Sequence, residues 1–408
     1  MPPRLRSLYV CYLSLDDPLV ETQVVAYLEG LAGRGHEVHL LTFEPRRVGR
    51  RERRRVRQRL HRRGLHWHRL RYHARPSLPA TVYDVACAVA LGAALIRRHR
   101  LDAVHARSHV PAAAALLLRR LTGCRVIFDM RGLLAEEYVD AGRWSPGSLP
   151  FRITKWVERR AIDRAEAVIV LTERVRRHLF TDRPREGVWV IPCCTDVARL
   201  EAQSRSRATM REQLGLRDAT VMAYVGKLTG LYMQREMADL FASAREVIPD
   251  LHFLVLTQSD PAPIVAELER VGAGSGDCTI TTCAPDAVGE HLAAADLAIS
   301  LIAPSFSKIA ASPTKIGEYL AAGLPTVCSA GVGDVDDLLE AERVGVLVRR
   351  FAPDAYRRAA QDVQRLRSDP LLGQRCRAVA GERLSLETVG MPRYAAVYDS
   401  VAGPGRAR

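Results

Sequence analysis

Lysine is almost absent from this chain of 408 residues: Lys155, Lys227, Lys308 and Lys315 stand against fifty-six arginines. In so arginine-biased a composition, a lysine is a candidate for a position that needs a compact ammonium rather than a planar guanidinium. Long apolar runs are also missing. The nearest, Val85–Ile96, falls short of the ~18 residues that a bilayer span requires, and reads as a buried or amphipathic helix. The first residues are basic and lead into a short apolar run. That run meets Asp16 and Asp17 without a small-residue cleavage site, so no signal peptide is expected. The nine cysteines form no CxxC pair, which predicts buried thiols in a reducing, cytoplasmic setting, with neither a disulfide frame nor a zinc site. Aromatics are few at 6%, but a hydrophobic share of 48% is ordinary for a soluble globular protein.

The net charge of +14 is localised. Arg46–Arg75 holds fourteen arginines and one acid, Glu52, a net +13, so everything else sums to +1. A near-neutral remainder argues against a general nucleic-acid binder. Within the stretch, Val56 and Leu60 share one helical face, which is little apolar area for a membrane-surface helix. Three readings stay open: a solvated loop between two strands, an electrostatic contact with an anionic membrane on its inner face, or a clamp for an anionic substrate.

Short apolar runs alternate with helical periodicity along most of the chain, which predicts βαβ units and parallel sheet. Strands are expected at Leu8–Leu13, Glu37–Phe43, Leu65–Tyr72, Ala103–Ala106, Arg125–Asp129 and Ala167–Leu171, and a helix at Val20–Ala32. After a polar linker, Pro192–Arg217, the alternation restarts with Thr220–Val225 and Leu251–Thr257. The prediction is two Rossmann-like, doubly wound α/β domains, 1–195 and 196–385, facing a cleft. Ligands of such sheets bind beyond the carboxyl ends of the strands.

Ser312–Val327, SPTKIGEYLAAGLPTV, carries the functional reading. Pro313 suits a first helical position and Ser312 an N-cap, which leaves free N–H groups of Thr314 and Lys315 for an anion. Glu318 lies one turn in, where a carboxylate can accept hydrogen bonds from a ribose diol. Lys227 follows Gly226 at the end of a strand, where a phosphate could be held, and Lys308 flanks the motif.

That motif, together with Val225-Gly226-Lys227-Leu228 and Val190–Asp196, resembles the retaining GT-B glycosyltransferases of family 4. In the first half the resemblance extends over Tyr12–Pro18 with Thr22-Gln23, Gly35–Val38, Asp102–Ser108 and Phe128–Gly132. It implies a GT-B fold whose second domain binds a UDP- or GDP-sugar through Gly226, Lys227, Lys308, Ser312, Pro313, Thr314, Lys315 and Glu318. Glu318 matches the second of the family's paired glutamates and Lys227 its first diphosphate-binding cation. Ala310 stands where the first glutamate belongs, and Tyr232 where a second cation belongs, with Lys308 the candidate replacement. The family's glycine-rich first loop is replaced by Leu15–Leu19. Asp129 stands where relatives carry a catalytic histidine. Asp129, Arg131, Lys227 and Lys308 are therefore the catalytic candidates. Asp16, Asp17, Gln23, His105, Arg107, Glu136 and Glu137 are candidates for binding an acceptor, which the sequence does not identify. The family also returns its chain end to the first domain, which falls to 386–403 here. The mechanism implied is transfer with retention and without a metal or other cofactor. A non-catalytic GT-B partner protein is the alternative.

Overall fold

The computed structural model describes residues 4–46, 49–75 and 77–403. The chain forms two compact units, one of Met1–Pro192 with Gly390–Arg408, the other of Cys193–Val389.

The first unit is built on a seven-stranded parallel sheet. Its strands are β1 (Arg6–Cys11), β2 (Glu37–Glu44), β3 (Leu65–Arg71), β4 (Ala103–Arg107), β5 (Arg125–Asp129), β6 (Ala167–Val170) and β7 (Val188–Val190). They lie in the order β3-β2-β1-β4-β5-β6-β7. Chain order reverses between β1 and β4, so a crevice opens beyond their carboxyl ends. Helices cover both faces, which is why strands such as Ala167–Val170 are apolar at every position.

The helix expected at Val20–Ala32 is broken into Pro18–Val20, a π-helical turn Glu21–Val25 and Ala26–Gly33. Asp17 caps the first piece, its carboxylate accepting from the Leu19 N–H at 2.9 Å. The apolar run at Val85–Ile96 lies inside a longer helix, Ser77–His99, which is long and apolar enough to cross a membrane. It packs on the helix His109–Thr122, and its Gly92 faces Leu118 and Leu8. Asp84 on the same helix is fully buried and accepts hydrogen bonds from Tyr12 and His73, an arrangement suited to a core helix. The arginine stretch forms a helix, Arg50–Arg62, rather than an irregular loop. Leu60 is its buried anchor, and the following Arg63 pairs with Glu21 and Glu29. Arg47, part of that stretch, lies outside the described residues.

The last helix, Met391–Ala402, belongs to the first unit. It buries Tyr394, Val397 and Tyr398, and the Tyr398 hydroxyl reaches His105 Nδ1 at 3.1 Å.

The second unit has six parallel strands: β8 (Thr220–Val225), β9 (Leu251–Leu256), β10 (Cys278–Thr281), β11 (Leu297–Ser300), β12 (Thr326–Ser329) and β13 (Gly345–Val348). Their order is β10-β9-β8-β11-β12-β13, with the switch between β8 and β11. Alternation along β8 feeds two cores. Met222 and Tyr224 pack with Phe241 and Phe253, while Val221 and Ala223 pack with Leu254 and Tyr319.

The segment expected to be a polar linker, Pro192–Arg217, contains helices at Val197–Gln203 and Arg207–Gln213. Asp196 caps the first, accepting from the Arg199 N–H at 3.0 Å. Arg207 and Arg211 then donate to the carbonyls of Ala293–Ala295 and pair with Asp296. Side-chain anchoring onto free carbonyls replaces the apolar stripe that the sequence lacks there.

Candidate functional site

Each unit gathers polar residues at its own switch point.

In the second unit, β8 runs into Gly226, whose φ of 131° is open to glycine and strained for other residues. Several bonds fix the turn that follows. The Tyr224 hydroxyl donates to the Lys227 carbonyl at 2.5 Å, and the Leu228 N–H donates to Ser259 Oγ at 3.0 Å. Tyr319 Oη accepts the Val225 N–H at 2.8 Å, which ties β8 to the helix Thr314–Ala321. Lys227 itself is exposed.

That helix begins one residue later than expected. Pro313, with ψ at 119°, occupies the N-cap position, and no side chain caps the helix. Ser312 is therefore not the cap, and its hydroxyl accepts the Cys193 N–H at 3.0 Å.

Lys315 lies in the first turn, only 5% exposed. Its ammonium sits 4.2 Å from the centre of the Tyr224 ring and 4.0 Å from that of Tyr232. It has no hydrogen-bond partner among the described residues. A Cβ on Gly226 would come within 3.1 Å of it. Burial pushes the Lys315 ammonium down to about 7, against the opposing pull of Glu318. Glu318, one turn on and half-buried, has its carboxyl raised by burial, opposed by Lys315 and Arg199. Two π-faces partly solvate the ammonium, but an aromatic pair does not replace an anion.

Lys308 is buried on the 3₁₀ turn Phe306–Ala310, with Ala310 buried behind it. The carbonyl of Lys308 accepts the Gly333 N–H at 2.8 Å. This joins the turn to a glycine-bearing loop after β12, in which Gly331 and Gly333 take φ of 87° and 51°. That loop was not singled out from the sequence. Its signal was present: Gly331-Val332-Gly333-Asp334 follows a strand and precedes a helix.

In the first unit, Asp129 ends β5 and is fully buried. It lies 3.5 Å from Arg107, 3.4 Å from Arg131 and 3.8 Å from His105 Nε2, and it accepts the Tyr394 hydroxyl at 2.9 Å. Burial alone would raise its carboxyl. Arg131, His105 and Arg107 outweigh that and hold it far below the usual carboxylate range. The Gln23 carbonyl accepts from Arg107 at 3.5 Å. Five of the predicted residues, Gln23, His105, Arg107, Asp129 and Arg131, thus meet in one place. Ser108 beside them takes φ of 73°, a strained value for a non-glycine residue, at the start of the helix His109–Thr122.

The other acceptor candidates lie apart from this cluster. Asp16 is exposed on the loop after β1, and Asp17 serves as a cap. Glu136 pairs with Lys155 at 2.7 Å, within a chain that runs on through Glu158 to His109. Glu137 packs its carboxylate against Gly132. Tyr394 and Tyr398 complete the first-unit cluster and were not singled out. Their i, i+4 spacing on an apolar helix reads equally well as core.

Two tandem parallel sheets, each with its polar residues beyond the carboxyl ends at a switch point, define a two-domain α/β protein of the GT-B type. Comparisons with known proteins refine this. Residues 20–194 match a family model described as a glycosyl transferase 4-like domain, and residues 219–366 one described as glycosyl transferases group 1. The chain belongs to the GT-B glycosyltransferases. It is 29% identical over 223 residues to the alpha-D-kanosaminyltransferase of Streptomyces kanamyceticus, a match over 50% of this chain and 55% of that protein. The chain thus spans about half the length of that relative. A glycosyltransferase from Rickettsia africae superimposes with a TM-score of 0.74 at 14% identity, covering 98% of this chain and 100% of that one. An Anabaena protein solved with UDP-glucose does so at 0.70 and 15%, covering 97% and 99%. At these identities the two structures speak for the fold.

Proposed function

We propose that the protein is a retaining glycosyltransferase that uses a nucleotide diphosphate sugar. The observation that carries the reading is the grouping of Gly226, Lys315 and Glu318 at the carboxyl end of β8. Here a buried ammonium without a hydrogen-bond partner among the described residues stands in the first turn of a helix, one turn from a carboxylate. A diphosphate supplies the anion that Lys315 lacks, and a ribose diol supplies donors for Glu318. The Anabaena structure holds UDP-glucose in the same fold, which supports a uridine nucleotide as the first candidate.

In this reading Lys227, Lys308 and Lys315 neutralise the diphosphate as it leaves, so the chain itself provides the cations and no metal is needed. Preorganised charge of this kind lowers the barrier without reorganisation during reaction. The acceptor oxygen bonds to the anomeric carbon on the face from which the phosphate oxygen departs. The departing oxygen takes the acceptor's proton. The first unit binds the acceptor near Arg107 and Arg131. Asp129, held ionised by both arginines, positions them rather than shuttling a proton.

The test is a thermal-shift and turnover screen of UDP-, GDP- and dTDP-sugars. The reading expects one nucleotide class to raise the melting temperature and to be hydrolysed or transferred. A chain that binds a nucleotide but turns over no sugar is instead a non-catalytic partner protein, a reading that the apolar Ala310 would then explain.

A further inference from the structure

Five of the twelve histidines, His39, His61, His66, His68 and His99, lie at one edge of the first unit, and none of them is among the residues assigned above. Glu37 and His39 share one face of β2, two residues apart. His66 and His68 do the same on the edge strand β3, and His66 is the register partner of His39. His99 ends the helix Ser77–His99, and His61 lies near the end of the arginine helix.

The rings are in contact. His39 stacks on His66 at 4.7 Å and on His68 at 5.2 Å, and tilts against His99 at 4.5 Å. His39 is 1% exposed. Its Nε2 lies 3.0 Å from Glu37 Oε1 and its Nδ1 2.9 Å from His68 Nε2. Glu37, His39 and His99 each offer one donor atom, and all three atoms fall within 4.8 Å of one another.

We propose that Glu37, His39 and His99 bind a divalent transition-metal cation of the zinc type, with His68 as the outer partner that orients His39. Two imidazoles and one carboxylate match that ion's preference for nitrogen and oxygen ligands at ~2.0–2.2 Å, which stand ~3.3–3.5 Å apart around a tetrahedral centre. The Glu37–His39 separation is already close to that value. His99, only partly buried at a helix end, closes the remaining gap. The contact between His39 Nδ1 and His68 is the second-sphere bond that ligating histidines make to fix the ring. The Arg57 guanidinium near His68 opposes a cation, and the Glu37 carboxylate offsets it. A metal here would fasten the end of a core helix to β2 and, through His68, to the edge strand. This role is separate from sugar transfer.

The experiment uses the full chain, purified without a polyhistidine tag and stripped with a chelator, then titrated with Co²⁺ as a spectroscopic probe and with Zn²⁺ in competition. The proposal expects one Co²⁺ per chain with intense visible bands of a low-coordinate site, displaced by one Zn²⁺, and a higher melting temperature with metal. His99→Ala and Glu37→Gln, both at partly exposed positions, should each weaken binding by ~10-fold or more. His178→Ala, at an exposed histidine elsewhere, should not. Absence of stoichiometric binding to the wild type overturns the proposal. So does binding that the folded His99→Ala and Glu37→Gln chains retain in full.

Discussion

The ammonium of Lys315 rests 4.0 Å from the centre of the Tyr232 ring. Tyr232 occupies the position where the family resemblance leads one to expect a second diphosphate-binding cation. The chain thus brings an ammonium to that side chain from a different element, the first turn of the helix Thr314–Ala321. Because the ammonium is buried without a hydrogen-bond acceptor among the described residues, it is costly when no anion is bound. Binding and stability should therefore respond to it with opposite signs.

Lys315→Met removes the buried charge and keeps an unbranched chain of similar length. We expect the ligand-free melting temperature to rise or hold. Nucleotide diphosphate affinity should fall by ~10–100-fold, the loss of one charge-assisted contact worth ~1.5–3 kcal/mol. Calorimetry on both forms checks this, and a parallel fall in stability and affinity would contradict it.

A pH dependence follows. The folded Lys315 ammonium titrates at about 7, below its ordinary value of 10.5. Between those values the unfolded chain holds the proton and the folded chain does not, so this group makes stability rise with pH across about 7 to 10.5. The cost is fully present below 7 and is gone above 10.5. Diphosphate binding favours the charged form, so at pH 8 binding should take up close to one proton. Titrations in two buffers of different ionisation enthalpy measure the uptake. Lys315→Met should abolish it.

Gly226→Ala places a Cβ 3.1 Å from the Lys315 ammonium, in a backbone conformation with φ at 131°. Strain of ~1–3 kcal/mol is expected. Denaturant unfolding measures the loss, and a nucleotide titration should show weakened binding, since Lys315 must shift.

Asp129→Asn and Tyr394→Phe separate two roles at the first-unit cluster. The asparagine leaves the buried Arg107 without its carboxylate and should cost ~3–5 kcal/mol, whereas the phenylalanine removes one hydrogen bond to the ionised carboxylate, ~1.5–3 kcal/mol. Equal effects in denaturant unfolding would show that the ion pairs are not what holds the cluster.

Much of the fold was legible because parallel strands are buried on both faces. Ala167–Val170 is apolar at every position and Leu251–Leu256 at every position but His252, so neither run can be mistaken for surface. The helices within Pro192–Arg217 were not legible. Only Leu200 is buried in Val197–Gln203, and what fixes the next helix is arginine contacts to distant carbonyls. At the site, rarity pointed to Lys315 and the helix start pointed to Glu318. The Tyr224 and Tyr232 rings around the ammonium were hidden, because tyrosines at the end of a strand and in the following loop carry no periodic signal. The start of the helix was misplaced by one residue because Pro313 fits an N-cap position as readily as a first helical one.

The most direct test of nucleotide binding in the second unit is a calorimetric titration of wild type and Glu318→Ala with UDP, GDP and dTDP. The account predicts one site per chain for one of these nucleotides, with affinity lowered at least ~10-fold in Glu318→Ala, as expected for charged hydrogen bonds to a ribose diol. Failure of all three to bind the wild type, or equal affinity in the variant, would contradict it.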